Sequence, residues 1–238
     1  MTHTLSIVLW LPIATAVLLM LIPRRWSAEI KAVGLAAALI EFVVSLTILG
    51  RFEDGVAGMQ LVEAHPWIRQ WGITYSLGID GISLWLVLLT TLLTPVVFLS
   101  GWNTIAKHPK EYVISFLIME AAMIGVFIAT DLLLFYVFFE LTLLPMYLVI
   151  GVWGGANRIY AAIKFFLFTI AGSLLMLLGI IYMAFLHFHD TGIWSFAVTD
   201  FYGMHYRSGT TEALLFFAFA LAFAIKVPLF PLHTWLPS

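Results

Sequence analysis

Five ionisable side chains fall inside apolar stretches of this sequence: Glu41, Glu120, Glu140, Lys164 and Lys226. A charge at bilayer depth costs roughly 2.5–3.5 kcal/mol on insertion scales, so a chain that keeps one there usually uses it. Glu140 stands in Phe138-Phe139-Glu140-Leu141-Thr142-Leu143-Leu144-Pro145. Lys226 opens Lys226-Val227-Pro228-Leu229-Phe230-Pro231-Leu232-His233. Low dielectric disfavours the charged form of any such group, and an acid and a base at one depth restore each other's charge. A pair of this kind holds its proton lightly, and a third charge nearby can shift it. That is the chemistry of proton movement by charge coupling. A static ion pair that anchors helices needs the same two partners, and only water access separates the readings.

The prolines add to this. Pro228 has no N–H to give the carbonyl of Ala224, and Pro231 none to give that of Val227. Carbonyls freed inside a membrane are tolerated only where protein or water surrounds them. A broken helix beside a lysine is the mid-membrane device of ion-transporting folds. His233, seven residues on, lies near the same face as Lys226. Pro145 likewise frees the carbonyl of Leu141 and softens the helix that holds Glu140. The residues expected to carry proton translocation are Glu140 and Lys226, with Lys164, His233 and Glu120 as relay candidates and Pro228 and Pro231 as the break. Glu140 lies about 13 Å beyond Asp131 and Glu120 about 16 Å before it, at similar depth. Lys226 lies roughly 21 Å from Glu212. Lys164 is close enough to Arg158 to snorkel toward a membrane face. Glu41 faces a polar pocket or another subunit. His187 and His189, two residues apart, read as loop residues at a membrane edge, without a metal role.

The elements that must position these groups are membrane helices. Hydrophobic residues make up 63% of the 238 residues and charged ones 10%, against about 45–50% and 25% in soluble domains. The formal net charge of −2 argues against a nucleic-acid partner. There is no cysteine, which excludes disulfides, thiolate metal sites and cysteine-ligated iron–sulfur clusters. The expected class is an all-α integral membrane protein with about seven transmembrane helices.

Apolar runs predict spans over about 5–22, 28–50, 82–99, 160–186 and 210–226. The stretch 112–153 is too long for one crossing and fits two, on either side of Thr130-Asp131. Asp131 is the natural N-cap of the second. The first apolar run lacks a basic leader, and Arg24-Arg25 follow it, so it reads as a retained span. Residues 51–80 form a polar loop in which Trp67 and Trp71 suit an interface, and 72–78 alternates weakly as a strand or hairpin. Residues 187–209 read as a loop. Arg24, Arg25, Lys31, Lys107, Lys110 and Arg158 gather on one side, and Arg51, Arg69 and Arg207 on the other. This bias places the N-terminus outside.

At Tyr75–Ser83, Phe138–Tyr147, Lys164–Thr169 and Ala224–Pro237 the sequence resembles the antiporter-like membrane subunits of respiratory complex I, the proton-translocating NADH:quinone oxidoreductase, in their subunit M (chain 4) branch. The resemblance implies a fold of about fourteen helices with two inverted five-helix repeats, helices 4–8 and 9–13. It implies that Glu140 is the essential glutamate of helix 5, Lys226 its lysine partner on a broken helix 7, and His233 a histidine of the central hydrophilic axis. The family runs to about twice this length. Residues 1–110 would hold helices 1–3 and the outer loop, and 111–238 helices 4–7 of an incomplete first repeat. Another chain is expected to supply the remainder, or the chain is a truncated product.

The implied function is proton export coupled to quinone reduction. NADH, FMN, iron–sulfur clusters and quinone are expected elsewhere in the complex, with no cofactor in this chain. The implied partners are other membrane subunits and the lipid bilayer, in a bacterial inner membrane or the mitochondrial one. Two alternatives stay open: a subunit of a multisubunit cation/proton antiporter or membrane-bound hydrogenase, and a non-transporting fragment.

Overall fold

The computed structural model describes residues 3–204 and 208–236; Arg207, Pro237 and Ser238 lie outside them. Among the described residues seven helical spans are long and apolar enough to cross a membrane. They are α1 (Thr4–Leu21), α2 (Ser27–Leu49), α3 (Gly81–Ser100), α4 (Pro109–Ile128), the tandem α5 (Leu132–Leu141) and α6 (Leu143–Trp153), α7 (Arg158–Thr191) and α8 (Gly209–Lys226). A two-stranded hairpin, β1 (Gln60–Ile68) and β2 (Ile73–Ile79), interrupts the series between α2 and α3. The protein is a multi-pass membrane protein.

The chain forms two compact units. The first comprises residues 1–64 and 76–129, and so holds α1–α4. Its core joins Ala16 and Leu19 of α1, Ile30 and Ala38 of α2, Phe98 of α3, and Val113 and Leu117 of α4. Gly34 lets α2 approach α4 closely: a Cβ there would meet Val113 Cγ1 at 2.3 Å. Small residues at such crossings are how membrane helices gain contact. The hairpin carboxylate Glu63 takes the N-terminus of α1, accepting from the Leu5 N–H at 2.8 Å and the Ser6 N–H at 3.2 Å. It thereby satisfies donors that the first turn leaves without partners. Asp80 caps α3 through a reciprocal box with Ser83. The hydrogen bonds from the Ser83 N–H and hydroxyl hold the Asp80 carboxyl below its ordinary value of 3.8.

The second unit comprises residues 65–75 and 130–238 and holds α5–α8. Asp131 caps α5 as expected, accepting from the Leu133 and Leu134 N–H groups at 3.0 and 3.1 Å. Its other oxygen also accepts from the Thr74 N–H and hydroxyl, at 2.9 and 3.0 Å, which ties the tip of the hairpin to the start of α5. Gly72 ends the short 3-10 turn of that tip at φ +63, and a Cβ there would sit 1.9 Å from the Trp194 carbonyl oxygen. Both the left-handed backbone and the close approach require glycine.

Two boundaries differ from the sequence reading. The sixth span does not end near 186: α7 continues to Thr191 and closes on Gly192 at φ +76. His187, half-buried, and His189, exposed, therefore lie on the last turns of a helix instead of in a loop. A left-handed glycine terminates this helix, not the loss of apolar character. The fifth span is not one helix but two, separated at Thr142.

Candidate functional site

The break at Thr142 builds the site. Pro145 has no N–H for the Leu141 carbonyl, and α5 closes at Leu141. The Thr142 hydroxyl turns back to donate to the Phe139 carbonyl at 2.8 Å. Glu140 sits in this last turn of α5, half-buried, with its Oε1 buried and without a hydrogen-bond partner. One turn earlier, Tyr136 brings its hydroxyl within reach of both Glu140 and Ser173.

Lys226 is the last residue of α8. Its ammonium donates to the Thr142 hydroxyl at 2.5 Å and to the Phe139 carbonyl at 3.3 Å. It also lies 4.3 Å from the centre of the Phe139 ring, a cation–π contact. Phe139 packs edge-on against Phe223 at 6.1 Å. Lys226 thus grips the discontinuity of the fifth span. Glu140 acts on it through its charge, yet among the described residues no ion pair joins the two within 4.0 Å. The expected direct pair is replaced by a lysine seated on the helix break beside the acid.

The second break lies just past Lys226. Leu229 N–H reaches the Ala224 carbonyl at 2.8 Å, which Pro228 cannot serve. Trp235 Nε1 donates to the Ile225 carbonyl at 2.9 Å. The carbonyls of Ala224 and Ile225 are thus met by protein groups, as burial in a membrane demands. A 3-10 turn, Leu232–Trp235, follows, and Trp235 packs on Phe165 at 5.0 Å. Lys164 on α7 donates to the Thr234 carbonyl at 2.5 Å. It holds the returning segment and does not snorkel away from it.

His233 is a correction. The helix stops at Lys226, so the seven-residue spacing does not put the two on one face. His233 instead stacks on Phe230 at 5.6 Å, with its Nδ1 buried and unpartnered. Glu120 belongs to the first unit, on α4, where its neighbour is Glu41 of α2. Sequence reasoning missed that juxtaposition; the feature that produces it is Gly34, seven residues before Glu41.

A span interrupted beside a mid-span acid, with a lysine from the end of another helix seated on the break, belongs to a multi-pass membrane protein of the antiporter-like class. The chain belongs to the family of NADH-ubiquinone oxidoreductase chain 4, whose amino-terminal region matches residues 11–130. Residues 129–238 match the transmembrane family described as NADH:quinone oxidoreductase/Mrp antiporter. The chain is 45% identical to NADH-quinone oxidoreductase subunit M of Rhodobacter capsulatus, aligning all of this chain with 48% of that protein. It superposes on a chain of respiratory complex I from Thermus thermophilus with bound NADH at a TM-score of 0.80 and 32% identity, covering 98% of this chain and 46% of that one. A chain of the Mrp complex of a Dietzia species shares the fold, with a TM-score of 0.79 at 20% identity over 98% of this chain and 25% of that one. The chain spans about half the length of the curated relatives it matches.

Proposed function

We propose that this chain moves protons as part of an NADH:quinone oxidoreductase, coupling quinone reduction to proton export. One observation carries the reading: the Lys226 ammonium is seated on the break of the fifth span at Thr142, beside a Glu140 whose Oε1 has no partner. The names of the relatives support it. Glu140 and Lys226 load and release the proton. Lys164, His233 and Glu120 serve as relays, and Pro228 and Pro231 maintain the break. Charge changes in neighbouring membrane subunits drive the cycle. NADH, FMN, iron–sulfur clusters and quinone belong to other subunits. Helices 4–7 form part of an inverted repeat. The membrane is an energy-coupling one, the bacterial inner membrane or the mitochondrial inner membrane, with the N-terminus outside.

The test is Glu140→Gln in the assembled complex, with proton pumping in vesicles and NADH:quinone turnover measured side by side. Most of both should be lost while the complex still assembles. Normal pumping would reduce Glu140 to a structural role. A second reading, a subunit of a cation/proton antiporter, is favoured by the shared Mrp fold. It requires proton flux that depends on an added cation and not on NADH.

A further inference from the structure

The first unit buries two carboxylates that the proposed cycle does not use as a pair. Glu41 on α2 is 1% exposed and Glu120 on α4 is 0% exposed. All four of their oxygens are buried without a hydrogen-bond partner. Successive crossings make α2 and α4 parallel, and the close contact of Gly34 with Val113 fixes their register. Seven residues beyond each contact residue, two turns on and so on the same face, stand Glu41 and Glu120. That register makes the two carboxylates neighbours across the α2–α4 contact. Around them lie hydroxyls of α2 and α3. Ser45 and Thr91 share a hydrogen bond of 2.8 Å. Thr94 lies beside Glu120 but donates to the Thr90 carbonyl at 3.2 Å.

Among the described residues no ion pair within 4.0 Å reaches either acid. Neither α1 nor α3 contains a charged residue. Lys31 is bound to the carbonyls of Trp102 and Ile105, at 2.8 and 2.6 Å. Lys110 is bound to those of Met20 and Ile22, at 2.8 and 2.7 Å. Arg24 pairs with Glu111 at 2.6 Å, and Arg51 donates to Thr4. Isolated buried charge neutralises by taking a proton, and two adjacent carboxylates cannot both stay ionised.

We propose that Glu41 and Glu120 form a single proton-holding site inside the first unit, with Glu41 an active member of it. The ligand is the proton, which occupies either carboxylate. The inference rests on the proton-translocating reading above.

The experiment compares Glu41→Gln, Glu120→Gln, the double variant and Glu41→Asp in the assembled complex, with proton pumping and NADH oxidation each measured per amount of assembled complex. Glu140→Gln serves as the control. Each single Gln variant should lower pumping severalfold, and the double variant should be no worse than the poorer single one, because members of one site are not additive. Asp at 41 keeps an acid but shortens the side chain; Gln keeps the shape but not the acid. Glu41→Asp should therefore outperform Glu41→Gln. Near-normal pumping by Glu41→Gln, or Asp performing worse than Gln, would make Glu41 a packing residue and overturn the proposal. Losses that multiply in the double variant would make two independent sites and overturn it too. Pumping that requires sodium in the unaltered complex and loses that requirement in Glu41→Gln would make the pair a cation site and overturn the proposal. If Glu140→Gln also pumps normally, the parent reading fails; if it alone is impaired, only this inference does.

Discussion

The two units treat buried charge in opposite ways. In the first, two buried acids sit on neighbouring uninterrupted helices, and the basic groups Lys31, Lys110, Arg24 and Arg51 are engaged elsewhere. In the second, a lysine at the end of one helix is seated on the break of the helix that carries the acid. Continuous helices satisfy their own backbone, so in the first unit the side chains alone bear the cost of burial. Broken helices leave backbone acceptors, and Lys226 uses one of them, the Phe139 carbonyl. A charge that shares its proton with a backbone break can respond to small movements; a charge between straight helices can only hold or lose its proton.

The contrast is broken most severely at Glu140. Glu140→Gln should remove most pumping, and Glu120→Gln should remove distinctly less, since only Glu140 adjoins a helix break. Equal losses in pumping assays on matched vesicles would erase the distinction between the units. Lys226→Arg comes next. Guanidinium stays protonated at any working pH, so pumping should fail although the complex assembles. A static anchor predicts the reverse, because arginine pairs acceptors at least as strongly. Near wild-type pumping in that variant would leave Lys226 as an anchor.

The two aspartate caps sharpen the comparison at smaller scale. Asp131→Ala strips partners from four donors: the Leu133, Leu134 and Thr74 N–H groups and the Thr74 hydroxyl. The lost cap costs about 1 kcal/mol, and each buried donor left unpaired about 1–3 kcal/mol, so thermal unfolding in detergent should come markedly earlier. Asp80→Ala should cost about 1 kcal/mol or less. Because hydrogen bonds hold the Asp80 carboxyl below 3.8 in the folded chain, its contribution is present above that value. It disappears as pH falls through the depressed one. The difference between Asp80→Ala and the unaltered chain should therefore vanish in acid, and a difference unchanged by pH would remove the carboxylate from the cap.

The spans were legible because about twenty apolar residues are needed to cross a bilayer, and little else satisfies that count. Asp131 was legible as a cap because its side chain acts on its own backbone two and three residues on. Its hold on Thr74 was not, since that contact joins distant parts of the sequence. Pro145 announced a softened span, but only the structure put the gap at Thr142, where a hydroxyl was available. The face assigned to His233 failed because the spacing argument assumed a helix that Pro228 had already ended. The polar residues near His187 looked like a loop, since composition does not distinguish a loop from a helix that runs past the apolar zone. Glu41 and Glu120 were visible singly; their meeting depends on Gly34, whose absent side chain carries no pattern of its own.

The bond from Lys226 to Thr142 makes the bend of the fifth span and the proton of the lysine linked variables. A force that straightens the span pulls on the ammonium, and by thermodynamic reciprocity whatever alters that ammonium alters the work needed to straighten the span.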